Sequence, residues 1–139
     1  MDTGESKPIT PEGTTTQENP RAITPDGKWV LAFGPDQWLL YPVAGGTPQP
    51  VRGLDPGDKP IQWSSDAQFI FVDDPKFVPA NIYKVHLMTG QRELWKELKP
   101  ADPAGVTIIQ YVRMTPDSKS YVYSYFRELT ELFLVEGLR

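Results

Sequence analysis

Apolar residues in this chain fall in short runs of about five, each set off by a polar turn. Three of the turns are copies of one phrase. Thr24-Pro25-Asp26-Gly27-Lys28 precedes Trp29–Phe33, Ser64-Ser65-Asp66-Ala67-Gln68 precedes Phe69–Val72, and Thr115-Pro116-Asp117-Ser118-Lys119 precedes Tyr121–Tyr123. Between them lie Gly-containing turns at Gly45-Gly46 and Thr89-Gly90, each ending a run of alternating or apolar residues, as at a hairpin. Asp26 to Gly46 spans 20 residues and Gly46 to Asp66 another 20; the next two intervals, to Gly90 and to Asp117, are 24 and 27. Self-similarity at roughly 40–50 residues is the signature of a repeat architecture built from one supersecondary unit. The longer intervals place insertions at turns, around Asp74–Phe77 and in Glu97–Gly105, where a repeat tolerates them.

Each unit reads as a small antiparallel sheet. Strands are predicted near 19–23, 28–33, 37–43 and 48–52; near 59–63, 68–73, 81–87 and 91–96; and near 106–114, 119–126 and 130–135. Segments 91–99 and 127–139 have helix-compatible spacing, with Leu129, Leu132 and Phe133 on one helical face. Alignment with the other copies overrides it and assigns strand. The second strand of each unit is apolar almost without alternation, so both of its faces must be covered. Sheets sandwiched between similar sheets satisfy this, which is the packing of a β-propeller. The expected fold is therefore all-β: a partial β-propeller of about three blades of antiparallel four-stranded sheets, the last incomplete. Residues 18–53, 57–96 and 106–136 are the expected blades. Residues 1–17 are expected to be a flexible segment or the remnant of a preceding blade, since Ser6–Thr10 looks like a last strand.

Charge and composition narrow the function. The chain has 139 residues, 14 basic and 18 acidic side chains and a net charge of −4. It has no basic stripe of the kind that binds nucleic acid, so no nucleic-acid partner is expected. No run approaches the ~18 apolar residues of a membrane span. The first twenty residues hold no apolar core of a signal peptide. Cysteine is absent, which excludes disulfides and thiolate chemistry. The 11 glycines and 15 prolines suit many short strands joined by turns.

No catalytic, cofactor-binding or metal-binding set emerges. His86 is the single histidine and sits between apolar neighbours; no Gly-x-Ser-x-Gly nucleophile accompanies it. Asp26, Asp66 and Asp117 stand at the same offset in each copy and are read as turn-pinning residues, because an Asp carboxylate accepts backbone N–H groups two residues on. With Gly46 and Gly90 they make up the expected structural turns. Asp55/Asp58 and Asp73-Asp74 lack the ligand spacing of a calcium loop. Trp38, Trp63, Trp95 and the row Tyr121, Tyr123, Tyr125 suit packing between sheets. The loop carrying Lys99, Asp102 and Pro103 is the expected partner-contact segment, since binding residues concentrate on loops held by a rigid scaffold.

The Thr-Pro-Asp-Gly-Lys phrase, its apolar run and the hairpins ending Ala-Gly-Gly and Met-Thr-Gly resemble the TolB-like, WD-type propeller repeats of bacteria, over roughly residues 18–136. The stretch Ser120–Tyr125 with Leu132–Leu138 is similar to the C-terminus of propellers attached to bacterial serine/threonine protein kinases. That resemblance implies a non-enzymatic recognition or scaffold module, the sensor part of a receptor kinase, in an extracytoplasmic or periplasmic location. Its ligand would be a protein, a peptide or a small molecule. Kinase motifs are absent from this chain. A propeller fragment of a prolyl-oligopeptidase-type peptidase and a free-standing TolB-like periplasmic protein are the alternatives. Three units are too few for a closed ring, since even four blades at ~40 residues each exceed this length. Self-association through open sheet edges is therefore expected, along with a longer parent chain.

Overall fold

The fold is seen in a computed structural model that describes residues 4, 6–16, 21–74 and 78–137. Among the described residues, nine strands form three consecutive antiparallel sheets. Sheet one contains β1 (Trp29–Phe33), β2 (Trp38–Pro42) and β3 (Gln49–Pro50). Sheet two contains β4 (Lys59–Trp63), β5 (Phe69–Asp74), β6 (Ala80–His86) and β7 (Arg92–Leu98). Sheet three is the pair β8 (Val106–Met114) and β9 (Tyr121–Arg127). The described residues contain no helix, so none is long and apolar enough to cross a membrane.

β5 shows why its apolar run does not alternate. Ile70 and Val72 point to one side and join Leu31, Trp38 and Val51 of sheet one, with Trp63 and Val85 of sheet two, in one buried cluster. Phe71 points to the other side. There it packs with Ile61, Ala80, Ile82 and Leu98 against Ile109, Val112 and Met114 of sheet three. Sheet two is thus sandwiched, and its strand needs apolar residues on both faces. A ring row leaves this second core, running Phe71–Trp95–Tyr121–Tyr123–Tyr125 at centroid spacings of 5.3, 6.2, 6.4 and 6.4 Å. The outer face of sheet one buries Val30, Ala32 and Tyr41 beneath Ala22.

Two expectations need correction. The first unit is a three-stranded sheet, not a four-stranded one. In place of the strand expected at 19–23, two isolated bridges flank β1, Thr15 with Phe33 and Ile23 with Val30; residues 17–20 lie outside the described set. Leu31 donates its N–H to the Ala22 carbonyl at 2.8 Å, so the edge of β1 is partly satisfied by a chain too irregular to count as a strand. The second correction concerns 130–135, which is neither strand nor helix. Glu128-Leu129-Thr130-Glu131 contains no Gly, Pro, Asn or Asp to turn the chain back onto β9. Segment 91–99, by contrast, carries strand β7, where pairing with β6 overrides its helical spacing. Residues 6–10 belong to no strand.

The three repeated turns share one backbone. The residue after each Asp is left-handed: Gly27 at φ 71°, Ala67 at 58° and Ser118 at 57°. A side chain there costs roughly 1 kcal/mol. A Cβ on Gly27 would meet nothing within 4 Å, so Gly27→Ala isolates that backbone term. Gly27→Ala is expected to lower stability by about 0.5–1 kcal/mol and Ala67→Gly to raise it by a similar amount, the left-handed cost being offset in both by glycine's greater freedom when unfolded. Urea midpoints at a common slope check the opposite signs.

Sheet two buries a carboxylate. Asp73 is 4% exposed, and its Oδ1 meets no hydrogen-bond partner. Burial pushes its carboxyl up to about 6, with Asp74 and Asp58 adding to the rise and Lys59 opposing it. The folded chain therefore binds this proton more tightly than the unfolded chain, whose group stays near 3.8. Stability from Asp73 is highest below pH 3.8 and falls as pH rises toward 6, by about 2–3 kcal/mol in all. Asp73→Asn should flatten the slope of unfolding free energy between pH 4 and 7; an unchanged slope would mean the carboxylate is solvated.

Candidate functional site

The repeated turns are built by a Ser/Thr hydroxyl and an Asp carboxylate in concert. Thr24 donates Oγ1–H to Asp26 Oδ1 at 2.5 Å; that carboxylate oxygen also accepts the Lys28 N–H at 3.0 Å. Thr24 Oγ1 in turn accepts the Trp29 N–H at 3.1 Å. Ser64, Asp66, Gln68 and Phe69 repeat the set at 2.6, 3.0 and 3.0 Å. Thr115, Asp117, Lys119 and Ser120 repeat it at 2.5, 3.1 and 3.0 Å. The hydroxyl hydrogen bond is the main cause that holds each carboxyl below its ordinary value, followed by the backbone N–H. By linkage, what these groups contribute is present above pH 3.8 and is lost as pH falls through their lowered values. Their sign is thus opposite to that of Asp73.

With the Asp occupied by its own turn, the residue before it is left to face outward. Pro25, Ser65 and Pro116, one from each turn, line a single cavity of about 480 Å³ with Arg21, Ile23, Gln62 and Trp63. The floor is fixed from below. Trp63 is 2% exposed and donates its indole N–H to the Arg21 carbonyl at 2.8 Å, and the Arg21 guanidinium donates to the Gln62 side-chain carbonyl. The Gln62 amide donates to the Trp63 carbonyl at 3.2 Å. A cation, an amide and an indole therefore share this cavity with two prolines and an isoleucine. Such a mixture suits recognition: apolar walls bury a ligand's side chain while a few fixed polar groups orient it.

The other singled-out residues lie elsewhere. His86 closes the β6–β7 turn, its Nδ1 accepting the Met88 and Thr89 N–H groups at 3.2 and 3.3 Å, with its ring edge-on to Phe69. Gly90 at φ 72° sits in the same turn, against Arg52 and Gly53. Gly46, at φ 127°, ends the β2–β3 turn. Asp102 accepts the Ala104 N–H at 3.1 Å and pairs with Arg127 at 3.1 Å; Pro103 accepts the Val106 N–H, and Lys99 is exposed. That loop joins the end of β7 to the start of β8, at the opposite end of the sheets from the three turns, so Lys99, Asp102 and Pro103 do not meet the cavity.

Two features escape a reading by composition. Arg21 and Gln62 have no motif around them; only their places, two residues before the Ile23 bridge and one residue before Trp63, put them at the cavity. The Asp58–Arg92 pair is the other. Arg92 forms a fork onto both Asp58 oxygens at 2.6 and 3.0 Å, and Asp58 also accepts the Asp55 N–H at 2.7 Å. Asp55 lies 3.8 Å from the same guanidinium, so the carboxylates of this turn serve an ion pair. No protein-family model and no curated protein matches the chain.

Proposed function

We propose that this chain is a recognition module of β-propeller type, three stacked units of a TolB-like repeat, which takes a peptide or a loop of a protein at the end of the sheets where the repeated turns meet. One observation carries the reading: residues as far apart as Pro25, Ser65 and Pro116 line one cavity because each occupies the same step of the same turn. Stacking like units sets these equivalent steps side by side, and Arg21 and Gln62 add to them the few fixed polar groups that recognition needs. The lining pairs no base with a nucleophile, and His86, the single histidine, is not among the lining residues and binds the backbone of its own turn. Non-enzymatic binding fits these groups better than catalysis. By resemblance of the repeat, the setting is the sensor portion of a bacterial receptor kinase, outside the cytoplasm.

A peptide array read with labelled chain tests this. Wild type should bind a restricted set of peptides, and Ser65→Trp, which fills the cavity from an exposed position, should lose them with its urea midpoint unchanged. Equal binding by both proteins, or amide shifts on titration that gather at 99–103 and leave 21–25, 62–65 and 116 unmoved, would overturn the assignment.

A further inference from the structure

The most apolar segment of the surface joins no sheet among the described residues. After Glu128 donates its N–H to the Gly105 carbonyl at 2.8 Å, residues 129–137 join no strand. Leu132 is 96% exposed and Leu134 84%, with Leu129, Phe133 and Val135 also open to solvent. Leu132 and Leu134 would fall on one face of a strand, Phe133 and Val135 on the other, so this segment needs cover on both faces. Beside it, sheet three consists of two strands, and among the described residues one edge of β9 carries no neighbouring strand. A two-stranded sheet is marginal without a third strand.

We infer that residues 129–136 of one chain add as a strand to the free edge of β9 in a second copy, and that the exchange is mutual. The edge offers what the segment lacks. One face of β9 carries the ring row Tyr121, Tyr123 and Tyr125; the other carries exposed Val122 and Phe126 beside Ile108 and Tyr111 of β8. An added strand thus finds apolar surface on both sides. The charges also match: Glu131 and Glu136 bracket the apolar tetrapeptide, while Lys119 and Arg127, the latter also paired with Asp102, bracket β9. Return to the chain's own β9 is disfavoured because 128–131 lacks turn residues. An extended linker of this kind favours exchange between copies with two-fold symmetry. Unpaired strand edges are the general template for such pairing.

The test compares full-length chains by sedimentation over a dilution series. Wild type should form a dimer. Of Phe133→Pro and Leu134→Pro, made separately, at least one should weaken the dimer about tenfold or more, since proline keeps apolar character but removes an N–H that the ladder uses. Phe133→Leu, which keeps both the N–H and the apolar side chain, should leave it nearly unchanged. A synthetic peptide of residues 129–137 should dissociate the wild-type dimer and bind the proline variant. Wild type that stays monomeric at all concentrations overturns the proposal, as does a dimer that neither proline affects. Protected amides at 130–135 in a monomer would overturn it too, by showing that the segment folds back on its own sheet.

Discussion

Trp63→Ala is expected to lower the unfolding free energy by about 4 kcal/mol, the usual range for a buried aromatic cut back to a methyl group. Trp63 is 2% exposed and closes the cluster between sheets one and two, against Leu31, Trp38 and Val51 on one side and Ile70 and Val85 on its own. Its indole N–H is also what holds the Arg21 carbonyl. The loss should therefore show twice: a urea midpoint lowered by a large share of its value, and a cavity whose Arg21 side has lost its anchor. Domains of this kind are typically stable by about 5–15 kcal/mol, so a purified Trp63→Ala chain should be partly unfolded well below the wild-type melting temperature. Trp63→Phe should keep most of the packing but lose the hydrogen bond. A midpoint unchanged in Trp63→Ala would mean that the two sheets do not share a core.

Arg92→Met should be comparably severe, at about 3–5 kcal/mol, because it leaves a buried carboxylate without its cation. Asp58 is 2% exposed, and two of the hydrogen bonds to its oxygens come from Arg92. The pair fastens the turn that joins sheet one to sheet two onto β7, with the Arg92 guanidinium also stacked 4.1 Å above the Tyr83 ring. Arg92→Lys should recover part of the loss only, since an ammonium cannot form the fork. Asp58→Leu combined with Arg92→Met should be much better than Arg92→Met alone, because it removes the stranded charge. Chemical denaturation of the four proteins at pH 7 decides the matter, and equal stability of the single and double variants would show that Asp58 is hydrated in the fold.

These two residues mark what could and could not be read from the sequence. Trp63 ends an apolar run just before a repeated turn, so its strand was legible, as were the other strands that pair within a hairpin. Local apolar runs and turn residues suffice for these because both partners lie within about ten residues. The non-alternating Phe69–Val72 run announced that sheet two is covered on both sides. Asp58 and Arg92 are 34 residues apart, and nothing local to either predicts that they meet. The cavity was hidden for a similar reason. Its lining residues occupy equivalent steps of three turns, and the eye goes to the shared Asp, which the turn itself consumes. The segment at 130–135 misled in the opposite way: its composition is that of a strand, but a strand also needs a turn to bring it to a neighbour. The loop at Lys99, Asp102 and Pro103 drew attention by its length, and the topology puts it at the other end of the sheets from the three turns.

Convergence of the three turns is the central claim, and spin labels measure it directly. The chain has no cysteine, so labels on Pro25→Cys and Pro116→Cys report only those two sites. Both positions line the one cavity, although 91 residues separate them. The doubly labelled chain, diluted with unlabelled chain to suppress contacts between copies, should show strong dipolar broadening absent from either single label. A double-label spectrum equal to the sum of the two single-label spectra would contradict the convergence, and with it the binding site proposed there.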